Sequence, residues 1–354
     1  MYLGGISLKI LNSAAPIETI QLEVEQSPVW ELILGIAGYT HKQLRHTFEL
    51  DEEWAANESL MPPSLLQLLK EIEETNLWYG MLLLQNQLST ASVQEFSNSL
   101  STISTMDFYD WLLPYRNRQS ESLRMEAVRQ PGYPEVWGKY ADLFKGHDYL
   151  EGYVHQLLLL SQYEISEMMI RVLTEWENWI SQKEEWEKWL QALAFEQKQH
   201  RQLDAQNPVA DIERVTDGVE YLPEPSVWSV KLIPQVSYRP WVLTIRTADT
   251  KLFFYPVKEE HLLEPGVPSN ELIRGHKALG DELRLKLLFQ LQKHPLSLQE
   301  LSGQFNTSKT TLHHQLALLK AAKFIRVEKG IYSINSGKLE AFSSQLVRYM
   351  GTGL

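Results

Sequence analysis

The chain contains no cysteine. That excludes disulfides, thiolate metal sites and cysteine nucleophiles together, and it fits a reducing compartment. Long hydrophobic runs are also missing. Stretches such as Leu77–Leu84 and Leu157–Leu160 fall far short of the ~18 residues that span a bilayer. Met1 to Pro16 holds one lysine and no small-residue cleavage site, so no export signal is read there. The expectation is a soluble, cytoplasmic protein with no membrane partner. Enzyme signatures are absent in the same way. There is no Gly-x-Gly-x-x-Gly, Walker-type loop, Gly-x-Ser-x-Gly or His-Glu-x-x-His. His41 with His46, and His147-Asp148 with His155, lack a third ligand at matching spacing. No catalytic residue, cofactor or metal is therefore assigned, and the chain is not expected to be an enzyme.

What is present is ordinary globular material. The 354 residues are 44% hydrophobic and 22% charged, enough for a real core and two or three domains. The net charge of -12 argues, as an average, against nucleic acid. The average hides a split at Pro265. Residues 266–354 carry 12 Lys+Arg against 6 Asp+Glu, a net of +6, whereas residues 1–265 carry 21 against 39, a net of -18. All 11 tryptophans precede Pro265. Such asymmetry raises the prospect of a nucleic-acid-binding part.

The acidic portion reads as mainly helical with some strand. Residues 6–11 and 18–24 alternate apolar and polar, as in a hairpin or sheet edge. Ser27-Pro28 opens a helix, and Pro62-Pro63-Ser64 opens another. Gly152 to about His200 reads as helix, broken once. Within it, Trp176, Trp179, Trp186 and Trp189 repeat at a ten-residue spacing, close to three helical turns, which would put both pairs on nearly one face. Such a stripe serves either a packed aromatic core or a ligand-binding pocket; apolar stripes at helical spacing usually mean packing. Three β-rich runs follow, Val227–Ile233, Trp241–Arg246 and Lys251–Val257, separated by turn signals. Glu264 to Ser269 reads as a linker.

The basic portion is denser in signals. One helix is expected from about Asn270 to Lys293, with Leu279, Leu283, Leu287, Leu288 and Leu291 inward. Ser297-x-x-Glu300 is a capping box for the next, and Leu298, Leu301 and Phe305 mark its buried face. After a turn at Asn306-Thr307, Ser308 caps a third helix running to about Ala322. Its Leu312, Leu316 and Leu319 face inward, and Lys309, His313 and Lys320 lie on the other side. Phe324–Glu328 and Ile331–Ile334 flank a Lys329-Gly330 turn as a β-hairpin, and a last helix covers about Lys338 to Met350. Two short helices with a tight turn, then a hairpin, form a winged helix-turn-helix whose second helix enters the major groove. The fold class is thus α+β and predominantly α. It comprises a large N-terminal helical domain with a small antiparallel sheet (1–265) and a C-terminal winged helix-turn-helix domain (270–354).

These residues resemble a known family. His276-Lys277-Ala278-Leu279-Gly280-Asp281-Glu282-Leu283-Arg284-Leu285-Lys286-Leu287-Leu288 is similar to the opening helix of ArsR-type regulators. Ser308 to Lys320 resembles their recognition helix, and Ala321-Ala322-Lys323-Phe324-Ile325 the passage into their wing. The resemblance covers about 75 of the 354 residues. It implies homodimers that bind palindromic, double-stranded operator DNA, usually as ligand-controlled repressors. Metal-sensing members carry cysteines before the recognition helix or His/Asp ligands on the terminal helix. Ser297–Phe305 has no cysteine, and Lys338–Met350 no histidine or aspartate, so metal sensing at those places is not expected. The wing is also shorter than usual. The acidic portion resembles the large extra domain of some actinobacterial and bacillar relatives, through its segment Leu232 to Pro256.

DNA binding needs cations for phosphates and donors or acceptors for base edges. Ser308, Lys309, Thr310, Thr311, His313 and His314 supply both, at a helix N-terminus whose amides favour an anion. Thr311 and His314 serve equally well as capping or packing residues; Lys309 and His313 are forced outward by the leucines. Arg326, Lys329, Lys320 and Lys323 are candidate backbone clamps. His313 and His314 point about 100° apart on a helix and cannot chelate one ion together. The reading is a DNA-binding transcription regulator whose acidic domain binds an effector, with the four tryptophans as the candidate ligand-binding residues, or holds the dimer. The alternative is an adaptor that uses the winged helix for a protein partner, with an enzymatic N-terminal domain a distant third.

Overall fold

The computed structural model describes residues 20–41, 44–200, 202–204, 207–263 and 266–350. The strand expected at 6–11 lies outside these. The chain divides into two units, Met1–Val257 and Lys258–Leu354, and the fold is predominantly α with two small sheets. The division precedes the Glu264–Ser269 segment. Lys258 onward goes with the C-terminal unit because Glu259 accepts hydrogen bonds from the backbone N (3.0 Å) and Nδ2 (2.8 Å) of Asn270, at the start of that unit's first helix.

The first unit opens with β1 (Gln21–Val24) and α1 (Pro28–Thr40). It continues through α2 (Asp51–Asn57), α3 (Pro63–Thr75), α4 (Leu77–Leu88), α5 (Val93–Thr102), α6 (Thr105–Leu112), α7 (Glu121–Arg129), α8 (Pro134–Ala141), α9 (Leu150–Leu159), α10 (Gln162–Ile180), α11 (Glu184–Gln199) and α12 (Pro208–Val215). It closes with β2 (Ser229–Gln235), β3 (Leu243–Arg246) and β4 (Thr250–Pro256). Helix α1 starts where the sequence says: Ser27 Oγ accepts from the Val29 N–H, and Pro28 occupies the first turn. Every residue from Val29 to Thr40 is buried, as in a helix surrounded by neighbours. Glu31 is buried among them. Its carboxylate accepts from the backbone N–H of Val236 (3.0 Å) and Ser237 (2.7 Å) and from the Ser237 hydroxyl (2.5 Å), tying α1 to the loop after β2. Burial pushes its pKa up; those hydrogen bonds oppose the shift.

Two expectations for this unit need correction. The sheet is mixed, not antiparallel. Its order is β1-β2-β4-β3; β1 and β4 both run parallel to β2, and only β3 against β4 is antiparallel. Parallel neighbours need a long crossover, and α1 to α12 supply it between β1 and β2. β2 and β4 are buried along most of their length, the pattern of strands covered on both faces. Likewise the helix expected over 152–200 is broken twice, before Gln162 and before Glu184. Ser161 is the first restart signal: its hydroxyl and the Glu164 carboxylate form a capping box.

The second unit comprises α13 (Asn270–Leu279), α14 (Glu282–Lys293), β5 (Leu296–Ser297), α15 (Leu298–Phe305), α16 (Lys309–Ala321), β6 (Ile325–Glu328), β7 (Ile331–Ile334) and α17 (Ser336–Tyr349). Its three-stranded sheet, order β5-β7-β6, is antiparallel. One core joins Leu287, Leu288 and Leu291 of α14, Leu301 of α15, Leu312, Leu316 and Leu319 of α16, and Phe324 and Phe342.

Candidate nucleic-acid interface

The single helix expected from Asn270 to Lys293 is two helices. Gly280 ends α13, its N–H donating to the His276 carbonyl, and Asp281 caps α14 by accepting from the Arg284 N–H at 3.0 Å. Arg284 then closes the corner. Its Nε donates to the Ala278 carbonyl (2.6 Å) and Nη2 to that of Lys277 (2.8 Å), while Nη1 donates to Gln315 Oε1 on α16 (2.6 Å). A guanidinium at the last carbonyls of a helix satisfies acceptors that the helix itself leaves open.

The helix-turn-helix follows its sequence signals closely. Ser297 and Glu300 form the capping box of α15, with Glu300 Oε2 accepting from the Ser297 N–H at 2.7 Å. Those bonds hold the Glu300 carboxyl below its usual range. Asn306 ends α15 in the left-handed region, φ 48°. Ser302 Oγ donates to the Thr307 carbonyl at 2.7 Å and steadies the turn. Ser308 then caps α16: its hydroxyl accepts from the Thr311 N–H at 3.1 Å and lies 2.9 Å from Thr311 Oγ1.

Helix α16 is anchored on one side and open on the other. Leu312, Leu316 and Leu319 are buried in the core, whereas Ser308, Lys309, Thr310, Thr311, His313, His314, Ala317 and Lys320 are exposed. At about 100° per residue, the line directly opposite the leucines runs through Thr310, His314, Ala317 and Ala321. Lys309, His313 and Lys320 form one border of that face, and Thr311 the other.

The exit from α16 is equally defined. Lys323 has φ 59°; its N–H donates to the Lys320 carbonyl, and the Phe324 N–H to that of Leu319. This is a Schellman motif with an apolar residue after it, and it drops buried Phe324 into the core. The β6–β7 turn has φ 49° at Lys329 and φ 82° at Gly330, the two positive values of a type I′ hairpin turn. Lys329 is exposed at the tip, and Arg326 is half-buried opposite Ser333 on β7.

Residues 281–327 match the model of the bacterial regulatory protein, arsR family. The C-terminal unit is an ArsR-type winged helix-turn-helix. The match begins at the α14 cap and ends in β6, so it spans the elements whose order and caps are described above. No curated protein matches the chain, and neither does any solved structure. A winged helix of this family makes the protein a DNA-binding transcription regulator.

The ArsR-type unit brings Lys309, Thr310, His313, His314 and Lys320 onto one exposed surface. Ser308 and Thr311 pair with each other in the cap. The sequence names Thr310 and His314 among the candidates but favours Lys309 and His313; a helical wheel centred on Leu312, Leu316 and Leu319 puts Thr310, His314 and Ala317 directly opposite the leucines. Arg284 is not among those candidates, and its signal is its position three residues after the capping aspartate.

The four tryptophans sit elsewhere. Trp176 and Trp179 are on α10 and Trp186 and Trp189 on α11, so the break at Ser181–Lys183 removes the continuous face that the ten-residue spacing assumed. Trp176 is buried against Gly35 of α1 and lies 5.8 Å from the Tyr39 ring and 4.9 Å from Trp179, centroid to centroid. Lys183 Nζ stands 4.5 Å over the Trp179 ring. Cavities of about 370 Å³ beside His200 and about 170 Å³ beside Arg124 open in the same unit; none of the four tryptophans lines either.

Proposed function

We propose that this regulator is a homodimer that reads a palindromic operator through α16, acts as a ligand-responsive repressor in the cytoplasm, and is not an enzyme. One observation carries the reading. The exposed face of α16 is polar and cation-bordered, while its opposite face is locked into the core by three leucines and, through Gln315, by Arg284. A rigid helix with hydroxyls and imidazoles facing out suits base-edge contact, and its lysine border suits phosphate. The DNA-binding unit has a net charge of +6 over residues 266–354, which supports electrostatic attraction to the duplex. The acidic first unit repels DNA and thereby suppresses non-specific binding. Its cavities of about 370 and 170 Å³ are the candidate places for an effector. A coupling of about 1–3 kcal/mol would shift operator affinity by about 5–150-fold.

The test is retardation of the chain's own promoter DNA across a salt series. Steep loss of affinity with salt supports phosphate contact by the winged helix. No retardation at low salt, with or without cell extract, overturns the operator reading. Because every tryptophan precedes Pro265, a saturable change in tryptophan emission with a small molecule would report effector binding to the first unit.

A further inference from the structure

Strand β1 stands at one end of the first unit's sheet, whose order is β1-β2-β4-β3. Its β2 side is paired in parallel, Gln21 with Ser229 through Val24 with Leu232. The backbone N–H groups of Gln21 and Glu25 donate to the Trp228 and Leu232 carbonyls at 2.8 and 3.0 Å. In a parallel ladder alternate residues bond the same neighbour, so Gln21, Glu23 and Glu25 face β2. Leu22 and Val24 therefore turn their N–H and C=O groups to the opposite edge. Gln197 on α11 reaches that edge, its Nε2 donating to the Val24 carbonyl at 3.1 Å. Among the described residues no other group bonds it.

A cavity of about 370 Å³ runs along this edge, lined by Leu22, Glu23, Val24, Gln197, His200 and Leu203. Its size falls in the usual range of ligand sites, about 300–1,000 Å³. The wall holds a polar group that lacks a partner. His200 is 9% exposed; its Nε2 meets Glu196 Oε1 at 3.1 Å, and its Nδ1 is buried with no hydrogen-bond partner among the described residues. In the neutral ring the carboxylate accepts from Nε2–H, which leaves Nδ1 an acceptor. A buried acceptor left unpaired costs about 1–3 kcal/mol, so this wall is completed by an occupant.

The edge sets the occupant's chemistry. Leu22 N–H, Leu22 C=O and Val24 N–H present donor, acceptor and donor at strand spacing. An extended peptide backbone presents the complement and can extend a sheet from its edge. Leu22, Val24 and Leu203 offer apolar contact, and Glu23 is the one carboxylate in the described lining, with no lysine or arginine beside it there. That disfavours acidic side chains.

We infer that the free edge of β1 binds a short extended peptide of neutral or basic character, which adds to the sheet as a further strand. His200 Nδ1 lies beneath the wall's surface and accepts from the peptide as the ring tilts toward it. The inference rests on the effector reading above and gives that effector its site and chemical class.

The experiment is calorimetric titration of the full chain with acetyl-Val-Lys-Val-amide. One peptide per chain should bind saturably. The same peptide N-methylated at every internal amide, which cannot donate along a strand, should bind about tenfold more weakly or worse. Acetyl-Val-Glu-Val-amide should bind several-fold more weakly. Val24→Pro removes one outward N–H and no ladder bond, and proline is tolerated on an edge strand whose N–H faces out; it should lose about tenfold in affinity at an unchanged thermal midpoint. Equal binding of the N-methylated peptide overturns strand addition, and this comparison needs no variant to fold. No saturable heat up to millimolar probe overturns the site; a small molecule that still shifts tryptophan emission would then leave the effector reading standing. Probe binding that leaves operator affinity unchanged keeps the peptide site and overturns its role as the effector site.

Discussion

Arg284 on α14 and Gln315 on α16 are joined by one hydrogen bond, 2.6 Å from Nη1 to Oε1. The same guanidinium holds the last carbonyls of α13, so the attitude of the recognition helix is set from the corner between the first two helices. Arg284→Ala should destabilise the C-terminal unit by about 1–3 kcal/mol, since it strands acceptors at the α13 end. Denaturant unfolding measures this. An unchanged midpoint would show that the corner holds without the arginine.

The core beneath α16 should be intolerant of truncation. Leu316 is fully buried, and Leu316→Ala should cost about 2–5 kcal/mol. Operator affinity should fall with it, while Ala317→Ser, on the exposed face, should leave stability within about 0.5 kcal/mol.

Gly275 on α13 packs directly beneath α17. A Cβ there would lie 2.1 Å from the Phe342 ring, so the two helices approach as closely as glycine allows. Gly275→Ala should cost about 1–3 kcal/mol by overpacking. Restoration in Gly275→Ala/Phe342→Leu, read by thermal unfolding, would confirm the contact; no recovery would place the strain elsewhere.

The DNA-facing residues divide by task. Lys309→Ala or Lys329→Ala should weaken binding to all sequences alike and lower the salt slope by about 1. Thr310→Ala or His314→Ala should leave that slope intact and relax discrimination at one base pair, about 1–3 kcal/mol each. Competition between matched and mismatched operators separates the classes. If Lys309→Ala changes sequence preference and His314→Ala does not, the reading line on α16 is misplaced.

Glu31 gives a pH prediction. Burial raises its pKa in the folded state, so the native chain binds this proton more tightly than the unfolded chain does. Its contribution to stability therefore grows as pH falls from above the folded value toward the ordinary carboxyl value of 4.5, and is smallest at neutral pH. A Glu31→Gln variant lacks the titration and turns an amide donor toward the loop N–H groups. Its stability deficit against the native chain should widen as pH drops across that window. A narrowing deficit would mean that the three hydrogen bonds dominate and the carboxyl is held low.

Much of the C-terminal unit was legible in the sequence because its signals are local. Ser297 with Glu300, Asn306, Ser308 and Lys329-Gly330 each act on the backbone within a few residues, through a cap or a positive φ. The leucines at 312, 316 and 319 repeat at helical spacing, so their burial follows from period alone. The break at Gly280-Asp281 is local too, yet the leucine period runs through it and masks it. Sheet direction was not legible. Whether β2 pairs with β4 or β3 depends on strands brought together by the chain's path, and nothing in their own residues distinguishes parallel from antiparallel. The tryptophans show the same limit. Their spacing determined that α10 and α11 each bury an aromatic face, but a three-residue break puts the two pairs on separate helices, and packing against Gly35 and Tyr39 decided where Trp176 went. By itself the sequence determined the period, caps and charge of each element. The tertiary structure alone decided which faces stay open, because exposure is what remains after long-range packing has chosen its partners.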